Sequence, residues 1–192
     1  MSRGQMGKLE FDSERHLYFL DGVPLDSVTQ ILQKSGYVDD RWFTDEARER
    51  GKAVHETIRL IRKGTLDWSS VKKEIDGYIE AFCEFENDTQ FIALPEFSER
   101  RMYNPIYRYA GTIDDLGLLN GSYALIDYKT GDSSSANVQT AAYLHFPEVF
   151  AYQPTRYSVK LNKDGTYKLK KYTDNNKDFL TFLECLNRVN NK

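Results

Sequence analysis

The chain has 192 residues, of which 40% are hydrophobic, 14% aromatic and 29% charged, at a formal net charge of −3. That length fits one domain, residues 1–192, with a sizeable core, and the composition excludes a disordered chain and argues against a non-specific, strongly basic DNA coat. No apolar run approaches a membrane span, and the polar opening of the chain, residues 1–8, lacks the apolar core of a signal peptide. The protein is therefore expected in the cytoplasm, with no membrane partner and with Cys83 and Cys185 as buried free thiols.

In chain order, residues 9–11 and 17–20 predict a short hairpin, and Asp21-Gly22 opens the next turn. The run from Ser27 to Leu32 begins a short helix capped by Asp26 or Ser27. A longer helix is predicted over 44–63, stopping at Gly64. Ala47, Val54, Ile58 and Ile61 make its apolar face, joined by Gly51. Arg48, Lys52, His55, Arg59 and Arg62 make a basic stripe on the other face. A third helix over 70–86 places Val71, Ile75, Tyr78, Ile79, Phe82 and Phe85 on one side. Strands follow at 91–94 and 97–103. A long strand over 107–119 turns at Asn120-Gly121, whose residue types suit the positive φ angles of a tight hairpin, and returns over 123–128. A helix over 136–145 ends before Pro147. Residues 156–161 and 167–172 form a second hairpin, and a last helix runs over 176–190. The fold class expected is α/β (α+β), a mixed sheet flanked by helices.

The 107–128 hairpin carries the most informative residues. Its return strand brings Asp127 to about the level of Asp114. Two carboxylates converging there repel one another unless a cation lies between them, and hard oxygen ligands suit Mg²⁺ or Mn²⁺. Lys129 shares the face of Asp127 because side chains alternate along a strand. A cation, a metal and two acids on one face make a site for phosphate chemistry. Lys168 and Lys170 alternate on one strand of the second hairpin, with Lys160 on the facing strand. Such a stripe either follows a phosphate backbone or guards a sheet edge with charge.

The order of Gly51 and His55, Glu99, Gly111 with Asp114, Asp127-Tyr128-Lys129-Thr130-Gly131, and Gln139 with Tyr143 resembles the PD-(D/E)XK nuclease superfamily, in its RecB-like, phage-type exonuclease branch. The run from Val23 to Leu32 also looks like the start of phage-type members, and the resemblance covers about residues 19–143. It implies a restriction-endonuclease-like core over about 88–192 plus the His55 helix, preceded by the hairpin and helices of about 9–87. It implies Asp114 and Asp127 as ligands of one or two Mg²⁺ or Mn²⁺ ions, with the Tyr128 carbonyl as a backbone ligand and His55 as an additional ligand. Lys129 would position and help activate the attacking water. Glu99 would contact a second metal or Lys129, although Glu96 competes for that place. Gln139 and Tyr143, four apart on a helix, would support the site or touch DNA. Arg48, Lys52, Arg59, Lys168 and Lys170 are the remaining candidates for holding DNA.

The activity implied is metal-dependent hydrolysis of DNA phosphodiesters, by an exonuclease acting on single strands or ends in phage or bacterial recombination or repair. The alternative is an inactive nucleic-acid-binding module of the same fold. The chain departs from the pattern at Ile113, where the superfamily's proline would stand, and it lacks the four cysteines of the iron–sulfur subgroup. It carries no helicase module, so any unwinding falls to a helicase, annealing or single-strand-binding partner. An oligomer is compatible with all of this.

Overall fold

The computed structural model describes residues 7–39, 41, 44–131 and 133–191. Most of the polar opening stretch therefore lies outside the described residues. A three-stranded antiparallel sheet comes first, β1 (Leu9–Asp12), β2 (Leu17–Leu20) and β3 (Val23–Leu25). The third strand extends the predicted hairpin. Helix α1 (Val28–Lys34) follows, and Ser27 is its cap: the Gln30 N–H donates to Ser27 Oγ at 3.2 Å while the Ser27 N–H donates to Gln30 Oε1 at 2.9 Å. This reciprocal pair satisfies two donors that the first turn leaves open.

Helix α2 (Asp45–Arg62) begins at a Thr44 cap, with Asp45 and Glu46 in its first turn and Arg59 and Arg62 in its last. Both placements oppose the helix dipole favourably. Helix α3 (Asp76–Thr89) starts six residues later than expected. The segment before it is a 3₁₀ turn, Trp68–Ser70, capped by Asp67, and Val71 leaves it in an extended conformation. Val71 still packs against the core, so its apolar character continued the helical pattern without helical backbone.

Strand β4 (Ile92–Ala93) is short, and a 3₁₀ turn, Pro95–Phe97, separates it from β5 (Arg100–Asn104). The predicted long strand is broken. Its first half, β6 (Tyr109–Ile113), pairs with β5, and its second half, β7 (Asp115–Leu119), pairs with β4 and β8 (Ser122–Lys129). Asp114 occupies the break. The turn between β7 and β8 has φ of 52° at Asn120 and 76° at Gly121, as the residue types require.

Helix α4 (Ala136–Leu144) and the one-turn α5 (Pro147–Phe150) cross over from β8 to β9 (Thr155–Leu161), which lies parallel to β8. Strand β10 (Tyr167–Tyr172) returns antiparallel, and α6 (Asn175–Asn190) closes the chain. The central sheet has the order β10-β9-β8-β7-β4. It is mixed and flanked by helices, the α+β class expected.

The two faces of the sheet carry separate cores. Leu116 and Leu125 pack with Ile31, Ala141 and Phe182 from α1, α4 and α6. Ile126, Tyr128 and Val159 pack with Ile58, Phe82 and Phe85 from α2 and α3. Cys185 is buried as expected, whereas Cys83 is exposed; both are free thiols. Among the described residues, no helix is long and apolar enough to cross a membrane.

Candidate metal centre

Three elements converge at the break in the strand. Asp115 pairs with Ile126, so Asp114 faces Asp127 across the hairpin. Asp114 leaves the ladder because its side chain takes over a backbone partner: the Tyr128 N–H donates to Asp114 Oδ2 at 2.7 Å. The Asp114 carbonyl accepts from the Glu99 N–H at 2.8 Å, which brings the residue before β5 alongside. Glu99 takes up a left-handed backbone there, with φ of 49°. Helix α2 completes the cluster. His55 Nδ1 lies 3.3 Å from Glu99 Oε1 and 3.4 Å from Asp114 Oδ1. Glu99 is thus the glutamate at the cluster, while Glu96 sits in the preceding 3₁₀ turn.

His55, Glu99 and Asp114 each offer an atom within 4.8 Å of the others, close enough to share one cation. Asp127 stands beside this group. Its Oδ1 accepts from Lys129 Nζ at 2.9 Å, and its buried Oδ2 has no hydrogen-bond partner. The expectation paired Asp114 with Asp127 as principal ligands; the geometry instead draws Glu99 in against His55 rather than against Lys129.

Charge explains the protonation of the cluster. Burial pushes Asp127 up, and the neighbouring Asp114 adds to that against the pull of Lys129, so its carboxyl rises to about 6. Burial likewise raises Glu99. Burial works against the imidazolium of His55, but Asp114 and Glu99 outweigh it and hold His55 well above its ordinary value. Asp114 is buried too, yet His55, Lys129 and the Tyr128 N–H keep it below the usual carboxylate range. The His55 imidazole and the Lys129 ammonium stand against the carboxylates where a divalent cation would add its charge. The donor set fits such an ion: an imidazole and hard carboxylate oxygens, one of them buried and unpartnered.

Lys129 also donates to Gln139 Oε1 at 2.9 Å, and Gln139 Nε2 donates to the Tyr143 hydroxyl at 2.9 Å. Tyr143 is buried and packs against β6, where a Cβ at Gly111 would lie 2.8 Å from its ring. Gly111 is therefore required by close packing beside the cluster. Gly51 is not: a Cβ there would meet Thr130 at an ordinary 3.8 Å. Gln139 and Tyr143 stand behind Lys129 as supports.

The basic stripe divides. Arg48, Lys52 and Arg59 are paired within α2 to Asp45, Glu49 and Glu56, three residues before each. Exposed pairs of this kind are weak and yield readily to a phosphate. Lys52 lines the cavity of about 270 Å³ that holds the acid cluster. Arg48 lines an adjoining cavity of about 350 Å³ beyond His55 and Lys129. Arg59 borders a third beside Glu99. Arg62 breaks from the stripe and turns, half-buried, to the face of the sheet opposite the acids. Lys168 and Lys170 are exposed on β10, the edge of the sheet. Register aligns Lys168 with Lys160 and Lys129, and Lys170 with Ser158 and Asp127. Paired residues point to one face, so the lysines and the acid cluster share it.

No family model matches the chain, and no curated protein matches it in sequence. Among solved structures it is similar to SSO0001, at 14% identity and a TM-score of 0.32, over 81% of this chain and 82% of that one. It is also similar to LHK-Exo, solved in complex with dAMP, at 14% identity and a TM-score of 0.34, over 85% and 88% of the two chains. Likeness at that level carries no inference about activity.

Sequence reasoning passed over His16 and Tyr18, which form the far wall of the acid cavity. The Tyr18 hydroxyl meets Thr112 Oγ1 at 2.7 Å, fixing the first sheet over the site. Burial lowers His16, and Lys52 and Arg101 lower it further. Residues 17–20 are apolar throughout, so no alternation in the sequence singles out Tyr18 as the side chain that turns to the site.

Proposed function

We propose that this protein is a deoxyribonuclease that hydrolyses DNA phosphodiesters with Mg²⁺ or Mn²⁺, acting as an exonuclease on single strands or DNA ends in recombination or repair. The observation that carries the reading is the convergence of His55, Glu99, Asp114 and Asp127 around an unpartnered buried oxygen, with Lys129 on the same face.

His55 Nδ1, Glu99, Asp114 Oδ1 and Asp127 Oδ2 would hold one or two ions, with the Tyr128 carbonyl as the backbone ligand. A divalent cation there supplies Lewis acidity to the phosphodiester and acidifies a water. Lys129 contributes a fixed positive charge. Burial alone would strip its proton, but Asp127 and Asp114 hold its affinity for the proton above the ordinary value. Its ammonium would orient water and stabilise charge on a non-bridging oxygen. Gln139, itself held by Tyr143, aims the ammonium. Arg48, Lys52 and Arg59 flank the acids along α2, and the lysines of β10 extend the same face, so DNA phosphates meet cations on either side of the cluster. The inactive binding module would require the site to lack a ligand or its lysine, and every expected position is filled.

The test uses end-labelled linear and circular DNA, single- and double-stranded, incubated with Mg²⁺ and with EDTA. Metal-dependent loss of label from the linear substrates is the expected result. DNA retained intact but bound in both conditions would assign the chain to binding alone, and degradation of the circles would make the cleavage internal.

A further inference from the structure

Arg62 is the one member of the basic stripe that meets no cavity of the acid cluster. It lies two turns after His55 on α2, and its guanidinium sits over the rings of Phe82 and Phe91, 5.0 and 5.8 Å from their centroids. From there it reaches three partners on the face of the sheet opposite the acids. Nε and Nη2 donate to Asp115 Oδ2 at 3.0 and 2.8 Å. Nη2 also donates to the Tyr128 hydroxyl at 3.2 Å, and Nη1 is bonded to Glu86. The Tyr128 hydroxyl in turn donates to the same Asp115 oxygen at 3.0 Å.

The partners are placed where they matter. Asp115 is the residue after Asp114, and Tyr128 lies between Asp127 and Lys129. Alternation sends the side chains of Asp115 and Tyr128 to one face and those of their ligand-bearing neighbours to the other. The Tyr128 N–H bonds Asp114 on the acid side while its hydroxyl bonds Asp115 behind. One guanidinium thus ties together the helix of His55, the strand break at Asp114 and the strand of Asp127 and Lys129.

We propose that Arg62 is a positioning residue of the metal centre: through Asp115 and Tyr128 it fixes the spacing of His55, Asp114 and Asp127 from the back of the sheet. This rests on the metal-site reading above. A planar fork is needed because three acceptors lie in different directions around it, which a single ammonium cannot span.

Two variants test it in the full chain, Tyr128→Phe and Arg62→Lys, by Mn²⁺ titration followed by electron paramagnetic resonance, with melting temperature and steady-state kinetics on single-stranded DNA alongside. Tyr128→Phe keeps the ring contacts with Phe82 and Phe85 and the backbone carbonyl and N–H, so it should melt near wild type. Its Mn²⁺ affinity should nevertheless fall about 10- to 100-fold, the usual effect of removing a group that orients metal ligands. Its kcat should fall more than KM for DNA rises, because the Tyr128 hydroxyl and its partners lie on the face of the sheet opposite the acids. Arg62→Lys should move affinity in the same direction and further; should it fail to fold, Tyr128→Phe decides alone. Wild-type Mn²⁺ affinity in Tyr128→Phe overturns the proposal. Asp127→Asn, titrated in parallel, separates the two readings. If it loses Mn²⁺ while Tyr128→Phe keeps it, only the role of Arg62 falls; if it too binds like wild type, the metal-site reading falls and takes the role of Arg62 with it.

Discussion

Asp114 and Asp115 are neighbours in sequence with opposite surroundings. Asp115 is fully buried and its Oδ2 is bonded within the protein by Arg62 and the Tyr128 hydroxyl. Asp114 faces an acid cavity where Glu99 and Asp127 add negative charge and the answering groups, His55 and Lys129, are outnumbered. The first of these aspartates has one oxygen on the Tyr128 N–H and the other beside His55. The second is tied through one oxygen to Arg62 and the Tyr128 hydroxyl, while its other oxygen is buried without a hydrogen-bond partner and burial keeps its carboxyl raised. Burial costs both carboxylates; what separates them is the face of the sheet, one turned to a guanidinium and the other to a cavity shared with His55, Glu99 and Asp127.

The largest effect expected is on catalysis. Asp114→Asn and Asp127→Asn should each abolish metal-dependent cleavage, beyond the roughly 100-fold that marks loss of a supporting partner, while the fold and some DNA binding persist. Either variant degrading linear DNA at close to the wild-type rate would erase the contrast between the two neighbours. Asp115→Asn should fail in a different way. It removes the buried charge that Arg62 pairs with, so it should cost about 3 kcal/mol of stability in denaturant unfolding, with or without metal. An unfolding midpoint equal to wild type would mean that Asp115 holds nothing.

The proton balance gives a finer test. Asp127, raised from 3.8 to about 6, contributes stability that is complete below pH 3.8 and lost as pH rises through about 6. His55, raised above 6.5, contributes stability that is complete below 6.5 and lost as pH climbs through its raised value. Asp114 is lowered, so its contribution is present above 3.8 and lost only at more acid pH. In EDTA the protein should therefore melt lower at about pH 8 than at about pH 5, and added Mg²⁺ should raise the melt more at the higher pH, since metal replaces protons. Asp127→Asn should flatten both trends. His55→Ala should weaken Mn²⁺ binding more than it weakens folding, and should make that binding less steeply dependent on pH. Melts in EDTA that do not change between the two pH values would show that protons are not holding the cluster together.

Replacing Lys168 and Lys170 together by Gln is the mildest change. It should reduce the salt dependence of DNA binding by about one to two phosphate contacts and raise KM more than it lowers kcat. An identical salt slope would leave these lysines as guards of an open sheet edge.

Much of the fold was legible because its signals are local. Ser27, Thr44 and Asn120-Gly121 announce two helix starts and a turn, and the apolar run from 123 to 128 announces the strand that carries Asp127. The meeting of Asp114 with Asp127 followed from that turn and a period of two. What was not legible depends on partners distant in sequence. The strand break at Asp114 exists because the Tyr128 N–H and the Glu99 N–H bond it from two directions. Arg62 reads as one more exposed cation of a stripe until Asp115, Glu86 and Tyr128 are brought around it. The late start of α3 was hidden because Val71 is apolar whether or not its backbone is helical.

Glu99 reaches the cluster only by adopting a left-handed backbone, which costs a residue with a Cβ about 1–2 kcal/mol and costs glycine almost nothing. Position 99 therefore sets two kinds of selection against each other. A library screened for heat resistance alone should drift toward glycine there, gaining stability by shedding backbone strain and a buried acid together. A library screened for DNA cleavage should return the glutamate, and with it a lower melting temperature. The two screens should therefore part at this position, one returning glycine and the other glutamate.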